Sequence, residues 1–333
     1  MNKKKNNKKK KRNKRLLYMF LLLFITTIML ATTTYAWFTA NRIVSVDSLN
    51  VKVQSSGGIE ISVDGTNWKT SVTQDDILGA SATYGGNVNQ MPEKFEPVST
   101  GGITEGGYLK MFYGAPTSDD SGNYILTAKR DIEKAGTEGN FMAFDLFFKV
   151  DNASTTYLTS ESSILYVGDN NPGSQNAFRV AFLDEGTTAI GSDLGSIQGL
   201  GSATDQDVYI WEPNSDTHSS TGISNAQDVY GISVSAQGAS PIAYSGVINE
   251  INESQKIAFK DATSTKYPGY FASVDVDYPT SYGFSGNTQV WDFKAGITKM
   301  RIYIWLEGQD VDCENGASSG NLEIKFQLTT NPS

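Results

Sequence analysis

Two stretches near the C-terminus, Met300–Leu306 (MRIYIWL) and Leu322–Leu328 (LEIKFQL), decide the fold class. In the first, Ile302, Ile304 and Leu306 fall on one side of an extended chain, and Tyr303 and Trp305 fall on the other. In the second, Leu322, Ile324, Phe326 and Leu328 alternate with Glu323, Lys325 and Gln327. Side chains of a strand point to opposite faces in turn. This period therefore predicts strands with one buried and one wet face, the pattern of antiparallel sheets. The Gly-, Ser- and Asp-rich Gly308–Gly320 between them reads as a long solvated loop.

The same chemistry extends toward the N-terminus. Ser48–Val53 alternates as SLNVKV, and Gly58–Asp64 (GIEISVD) is followed by Asp64-Gly65, a hairpin signal with Trp68 on the returning strand. Tyr108–Tyr113, Tyr124–Lys129, Phe141–Val150, Ser163–Val167, Ala177–Leu183, Val208–Trp211, Val229–Val234, Gly269–Val276 and Thr288–Phe293 are further strand candidates. No segment after Phe38 carries an apolar stripe of helical period. Many short strands with dense turn residues predict an all-β antiparallel sandwich or jelly roll over 55–333, with loop-rich insertions at 168–225.

Charge and hydropathy divide the 333 residues unevenly. Ten Lys/Arg lie in Met1–Arg15, and no Asp or Glu precedes Asp47. Beyond Arg15, 17 basic residues face all 36 acidic ones, a balance of −19. Such a body repels polyphosphates and excludes nucleic acid as a partner. The basic start is followed by the apolar Leu16–Leu30 and the small-residue run Ala31–Ala36, with Thr34 and Ala36 at the −3 and −1 places of a cleavage site before Trp37. Residues 1–36 thus read as a signal peptide. The 23 uncharged residues Leu16–Phe38 are also long enough to span a bilayer as an anchor. In both readings the basic end stays in the cytoplasm and the acidic body lies outside, secreted or at the cell surface.

Little catalytic chemistry is legible. Cys313 is the only cysteine and His218 the only histidine, so multi-cysteine zinc sites and disulfides within the chain are excluded. His218, in the polar run Ser215–Ser220, reads as a solvated loop residue. Cys313 reads as a partly buried small side chain. Gly195–Gly201 lacks the strand, lysine and helix of a phosphate loop. Asp310, Asp312 and Glu314, and Asp275 with Asp277, are acidic alternations to which calcium is the one candidate cofactor, although neither has the spacing of an EF-hand. Carboxylates are numerous, and any two meeting in a cleft would be the sole support for an enzyme. Exposed Trp or Tyr would suit stacking on glycans, but the core claims most aromatics.

The export region resembles that of TasA/camelysin-like proteins of Firmicutes. The likeness rests on Thr34-Tyr35-Ala36-Trp37-Phe38-Thr39, on the strands Leu49–Val53 and Leu322–Leu328, and on Phe141–Asn152 (FMAFDLFFKVDN). The resemblance implies a jelly-roll surface or biofilm-matrix protein, and the lack of a catalytic constellation in the sequence argues against an enzyme. Its partners would be copies of itself, joined by donating the segment 37–54, with Leu49, Val51 and Val53 as the donor side chains. The alternative is a secreted or membrane-anchored β-sandwich that binds surface glycans.

Overall fold

A computed structural model describes residues 48–118, 124–169, 171–201, 207–243, 245–258, 261–277, 286–313 and 321–332. All of these lie within the unit Trp37–Ser333. Thr34, Ala36, Trp37 and the apolar run Leu16–Phe38 fall outside the described residues. Among the described residues no helix is long and apolar enough to cross a membrane.

The strands of the N-terminal part are β1 (Ser48–Ser55), β2 (Glu60–Ser62), β3 (Ser71–Thr73), β4 (Val98–Ser99), β5 (Thr104–Glu105), β6 (Tyr108–Leu109), β7 (Met111–Ser118) and β8 (Tyr124–Asp131). The middle holds β9 (Met142–Val150), β10 (Ser154–Thr159), β11 (Ser163–Val167), β12 (Phe178–Thr188) and β13 (Val208–Trp211). The remainder are β14 (Ser245–Val247), β15 (Phe271–Ser273), β16 (Asn287–Phe293), β17 (Gly296–Leu306) and β18 (Asn321–Thr329). Helices are short: α1 (Gln74–Gly79), α2 (Leu194–Gln198) and α3 (Ser220–Asn225). The fold is all-β.

Two sheets face one another across the main core. One has the order β16-β10-β18-β1-β3 with β11 also on β18, and the other runs β13-β12-β17-β9-β2. Val51, Val53, Ile324 and Phe326 from the first sheet join Phe144, Phe148, Phe182, Ile302 and Ile304 from the second in a single apolar cluster. Strand β18 behaves as its sequence dictates, with Leu322, Ile324, Phe326 and Leu328 buried and Glu323 exposed. Strand β17 does not, because all eleven of its residues are buried. Its second face is covered by another layer: Tyr303 and Trp305 pack with Val98, Leu109 and Met111 from β4, β6 and β7. The expected wet face is instead an interior one.

Three further differences from the sequence expectations follow. The sheets are not wholly antiparallel, since β1 runs parallel to β18 with Val51 opposite Ile324 and Val53 opposite Phe326. A parallel pair needs a long crossover, and here the whole intervening chain supplies it. Of the segment 37–54, expected as a donor to another copy, the described part 48–54 pairs with β18 of its own chain and 52–54 also with β3, with Val51 and Val53 fully buried. The stretch 168–225 is no mere insertion, for it contributes β12, which lies between β13 and β17.

Turn chemistry at Asp64-Gly65 holds, in a wider turn than a two-residue hairpin. Ile61 and Lys69 exchange backbone hydrogen bonds at 2.7 and 2.8 Å. Asp64 Oδ1 accepts from the Thr66 and Asn67 amides at 2.8 Å each, and Gly65 takes φ +75°.

Candidate functional site

Alternation along β9, β12 and β17 sends every second side chain away from the main core. On the outer face of the second sheet this collects Asp145 from β9, Arg179 and Glu185 from β12, and Lys299 and Arg301 from β17. The aromatic pair Tyr303 and Trp305 divides them into two charged clusters. Register places Arg301 opposite Asp145, and a bulge between Asp184 and Gly186 re-aims Glu185, a device common beside functional sites.

The first cluster floors an open cavity of about 300 Å³, lined by Tyr84, Tyr108, Asp145, Glu185, Lys299 and Arg301 among others. That volume lies at the lower end of ligand pockets, roughly 300–1,000 Å³. Lys299 Nζ sits 3.3 Å from Asp145 Oδ2 and 4.0 Å from Glu185 Oε2, so one ammonium bridges two carboxylates. It also donates to the Leu200 carbonyl at 2.8 Å. Arg301 Nη1 donates to Asp145 Oδ1 at 2.6 Å, and the Tyr84 hydroxyl approaches Asp145 Oδ2 at 3.0 Å. Burial alone would raise the Asp145 pKa, but the charges of Arg301 and Lys299 outweigh it and hold the carboxyl below its usual range. Asp145 is thus a fixed negative charge.

Arg301 links this cavity to a second, of about 420 Å³, lined by Val88, Glu105, Tyr108, Leu109, Arg130, Asp131, Ile132, Glu133 and Ala135. Arg301 Nη2 donates to the Val88 carbonyl at 3.1 Å, and its Nε donates to Glu133 Oε2 at 3.0 Å. The Tyr303 hydroxyl donates to Glu133 Oε1 at 2.5 Å.

The second cluster corrects the reading of His218 and of the acidic alternation. His218 is buried, with Nδ1 2.8 Å from Asp312 Oδ2. Asp310 is also buried, and Arg179 Nη2 reaches both Asp310 Oδ2 at 2.6 Å and Glu212 Oε1 at 2.7 Å. Residues 308–313, expected as a solvated loop, are therefore interior, where Asp310 pairs with Arg179 and Asp312 with His218, both from other segments. Burial lowers the pKa of His218, but its hydrogen bond to Asp312 overrides that and raises it. Burial pushes Glu212 up to about 8 despite Arg179, and Glu307 up to about 7. No hydrogen bond reaches His218 Nε2 among the described residues, so the His–Asp pair lacks the nucleophile of a hydrolytic triad. The calcium candidates Asp310 and Asp312 are engaged with Arg179 and His218, and Glu314 lies outside the described residues. Among the described residues no group of three or more His, Cys, Asp or Glu is placed to hold a metal ion. Cys313, expected to be partly buried, is fully buried.

No protein-family model matches the chain, and no solved structure does. Over 295 residues the chain is 28% identical to a protein described as probable endopolygalacturonase A, from Aspergillus parasiticus. The match covers 84% of this chain and 68% of that protein. It is a likeness to a hydrolase. This finding overturns the resemblance to TasA/camelysin-like proteins, and with it the expectation of a non-enzymatic fibre or biofilm-matrix component. The sequence reading missed Asp145, Glu185, Lys299 and Arg301 because their partners are remote in the chain. The only signal for them was charge on the outward side of strongly apolar strands.

Proposed function

We propose that the protein is an exported polysaccharide hydrolase whose reaction takes place in the cavity floored by Asp145, Glu185, Lys299 and Arg301. The observation that carries this reading is the pair of carboxylates sharing one lysine ammonium at the base of an open cavity. Glycosidic bonds are generally cleaved between two carboxyl groups through a transition state with positive charge on the sugar ring. Asp145, kept ionised by Arg301 and Lys299, supplies fixed negative charge under that developing cation. Glu185, once it has taken up a proton from solvent, gives that proton to the leaving glycosidic oxygen as the bond from the anomeric carbon breaks. Water adds hydroxide to that carbon and returns a proton to Glu185. The likeness to a probable endopolygalacturonase makes polygalacturonate the first substrate to test. The leader 1–36 supports secretion, and the two facing sheets suit a jelly-roll-like sandwich as scaffold.

The test is release of reducing ends from polygalacturonate by the exported product of the full chain. Cleavage is expected, with Glu185→Gln and Asp145→Asn each about 10²–10⁴-fold slower. No cleavage of polygalacturonate or of other plant and microbial glycans would contradict the proposal.

A further inference from the structure

The reaction cavity sets two cations, Lys299 and Arg301, against two carboxylates, Asp145 and Glu185. When Glu185 carries the proton it donates, Asp145 is the one anion left among these four, and together they bear a net positive charge. A positive floor opposes the positive charge that develops on the sugar ring. A further anion is needed to offset one of the cations. It has to lie close, because charges interact over a few ångströms far more strongly inside a protein than through water.

Glu133 meets both demands. Its Oε2 accepts from Arg301 Nε at 3.0 Å and from Arg301 Nη2, and its Oε1 accepts from the Tyr303 hydroxyl at 2.5 Å. Donors converging on both oxygens are the pattern of an ionised carboxylate. Arg301 keeps Nη1 for Asp145 Oδ1, at 2.6 Å, so Asp145 shares the guanidinium. The other cation beside Glu133 is Arg130, which has Glu105 Oε2 3.9 Å away. Glu133 follows β8 in a loop, yet it is firmly held. The amide of the next residue, Lys134, donates to Gln90 Oε1 at 2.6 Å, and the fully buried Gln90 donates to the Phe141 carbonyl at 2.6 Å. From the other side the Leu109 amide donates to the Tyr303 hydroxyl at 3.0 Å, which leaves that O–H aimed at Glu133. The Glu133 side chain is only 9% exposed. Fixed, desolvated charges of this kind act without reorganising during a reaction.

We propose that Glu133 is a positioning residue of the reaction cavity: by neutralising Arg301 from behind, it leaves Asp145 as an effective anion beneath the sugar ring. This rests on the hydrolase reading above for the reaction, while the hold of Glu133 on Asp145 is measurable without turnover. Glu133 acts through Arg301. The charged and titratable groups that face Asp145 are Arg301 and Lys299 from β17, Tyr84 from the loop before β4 and, across Lys299, Glu185 from β12. None of them changes when Glu133 is replaced.

The test uses the full-chain exported product and follows polygalacturonate cleavage across pH. Glu133→Gln keeps the shape and removes the charge. It should lower kcat about 10–100-fold with KM within about twofold of the parent. With one anion fewer nearby, Asp145 holds its proton less tightly, so the acidic limb of the kcat profile should move to lower pH by about 0.5–1 unit. Glu133→Asp keeps the charge and should return the limb to its parental place. Glu133→Ala opens a gap toward the second cavity, which Glu133 lines. Added formate should restore rate and limb in that variant, and neutral formamide should restore neither. In parallel, carbon-13 NMR follows the Asp145 carboxyl signal, identified by its loss in Asp145→Asn, through an acid titration of the parent and of Glu133→Gln. Parental rate and limb in Glu133→Gln, or a loss of rate with an unmoved limb that formate does not repair, would overturn the proposal. An Asp145 signal that titrates lower in Glu133→Gln, in a protein whose parent cleaves nothing, keeps the hold of Glu133 on Asp145 and sinks the hydrolase reading. Cleavage by the parent with an Asp145 signal indifferent to Glu133 does the reverse.

Discussion

Single residues govern how stability depends on pH and on buried charge. Arg179 is 1% exposed and neutralises Asp310 while contacting Glu212. Replacing it with Met leaves carboxylates buried without their cation, and chemical denaturation should register a loss of about 3–5 kcal/mol. Glu212, raised to about 8, and Glu307, raised to about 7, hold protons in the folded state that the unfolded chain releases near pH 4.5. The folded state then binds more protons through that window, so stability falls as pH rises from about 4.5 to 8. His218, with its pKa raised, acts in the same sense: its contribution is present below the unfolded value and fades as pH climbs through the folded one. Asp145, held low, opposes them only in acid. The urea midpoint should therefore be higher near pH 5 than near pH 8, and Glu212→Gln should flatten that slope. A midpoint rising between pH 5 and 8 would contradict these assignments.

At the scale of elements, the alternation of β18 and the inward face of β17 were plain in the sequence, because a period of two needs only local information. Coverage of the second face of β17 was not legible. Tyr303 and Trp305 look the same facing water or facing Met111, and only the path of β4–β7 decides between them. The parallel pairing of β1 with β18 was hidden for the same reason, since it joins residues more than 270 positions apart in register. Asp310 and Asp312 read as solvated because their partners, Arg179 and His218, lie about a hundred positions away. The closure of the two chain ends on one sheet has a measurable consequence. Ile324 is fully buried opposite Val51, and Ile324→Ala should cost about 2–5 kcal/mol in a denaturation experiment. Lys325→Ala, on the other face of the same strand and paired with the exposed Glu161 at 3.2 Å, should cost no more than about 1 kcal/mol.

Across the whole molecule, one sheet serves two purposes. Its inner face completes the main core, while its outer face lines a cleft whose charged floor is fixed by strand register. The acidic balance of the chain was evident from composition, but the carboxylate pair was not, because Asp145 and Glu185 become neighbours only through β17 between their strands. We propose that this pair cleaves a glycosidic bond. The direct measurement is reducing-end release from polygalacturonate by the parent and by Glu185→Gln, with oligomer binding followed on the same two samples. Cleavage by the parent, lost in the variant while its binding persists, is the result expected. Equal rates in both proteins, or no cleavage by either, would contradict the assignment of the reaction to this cleft.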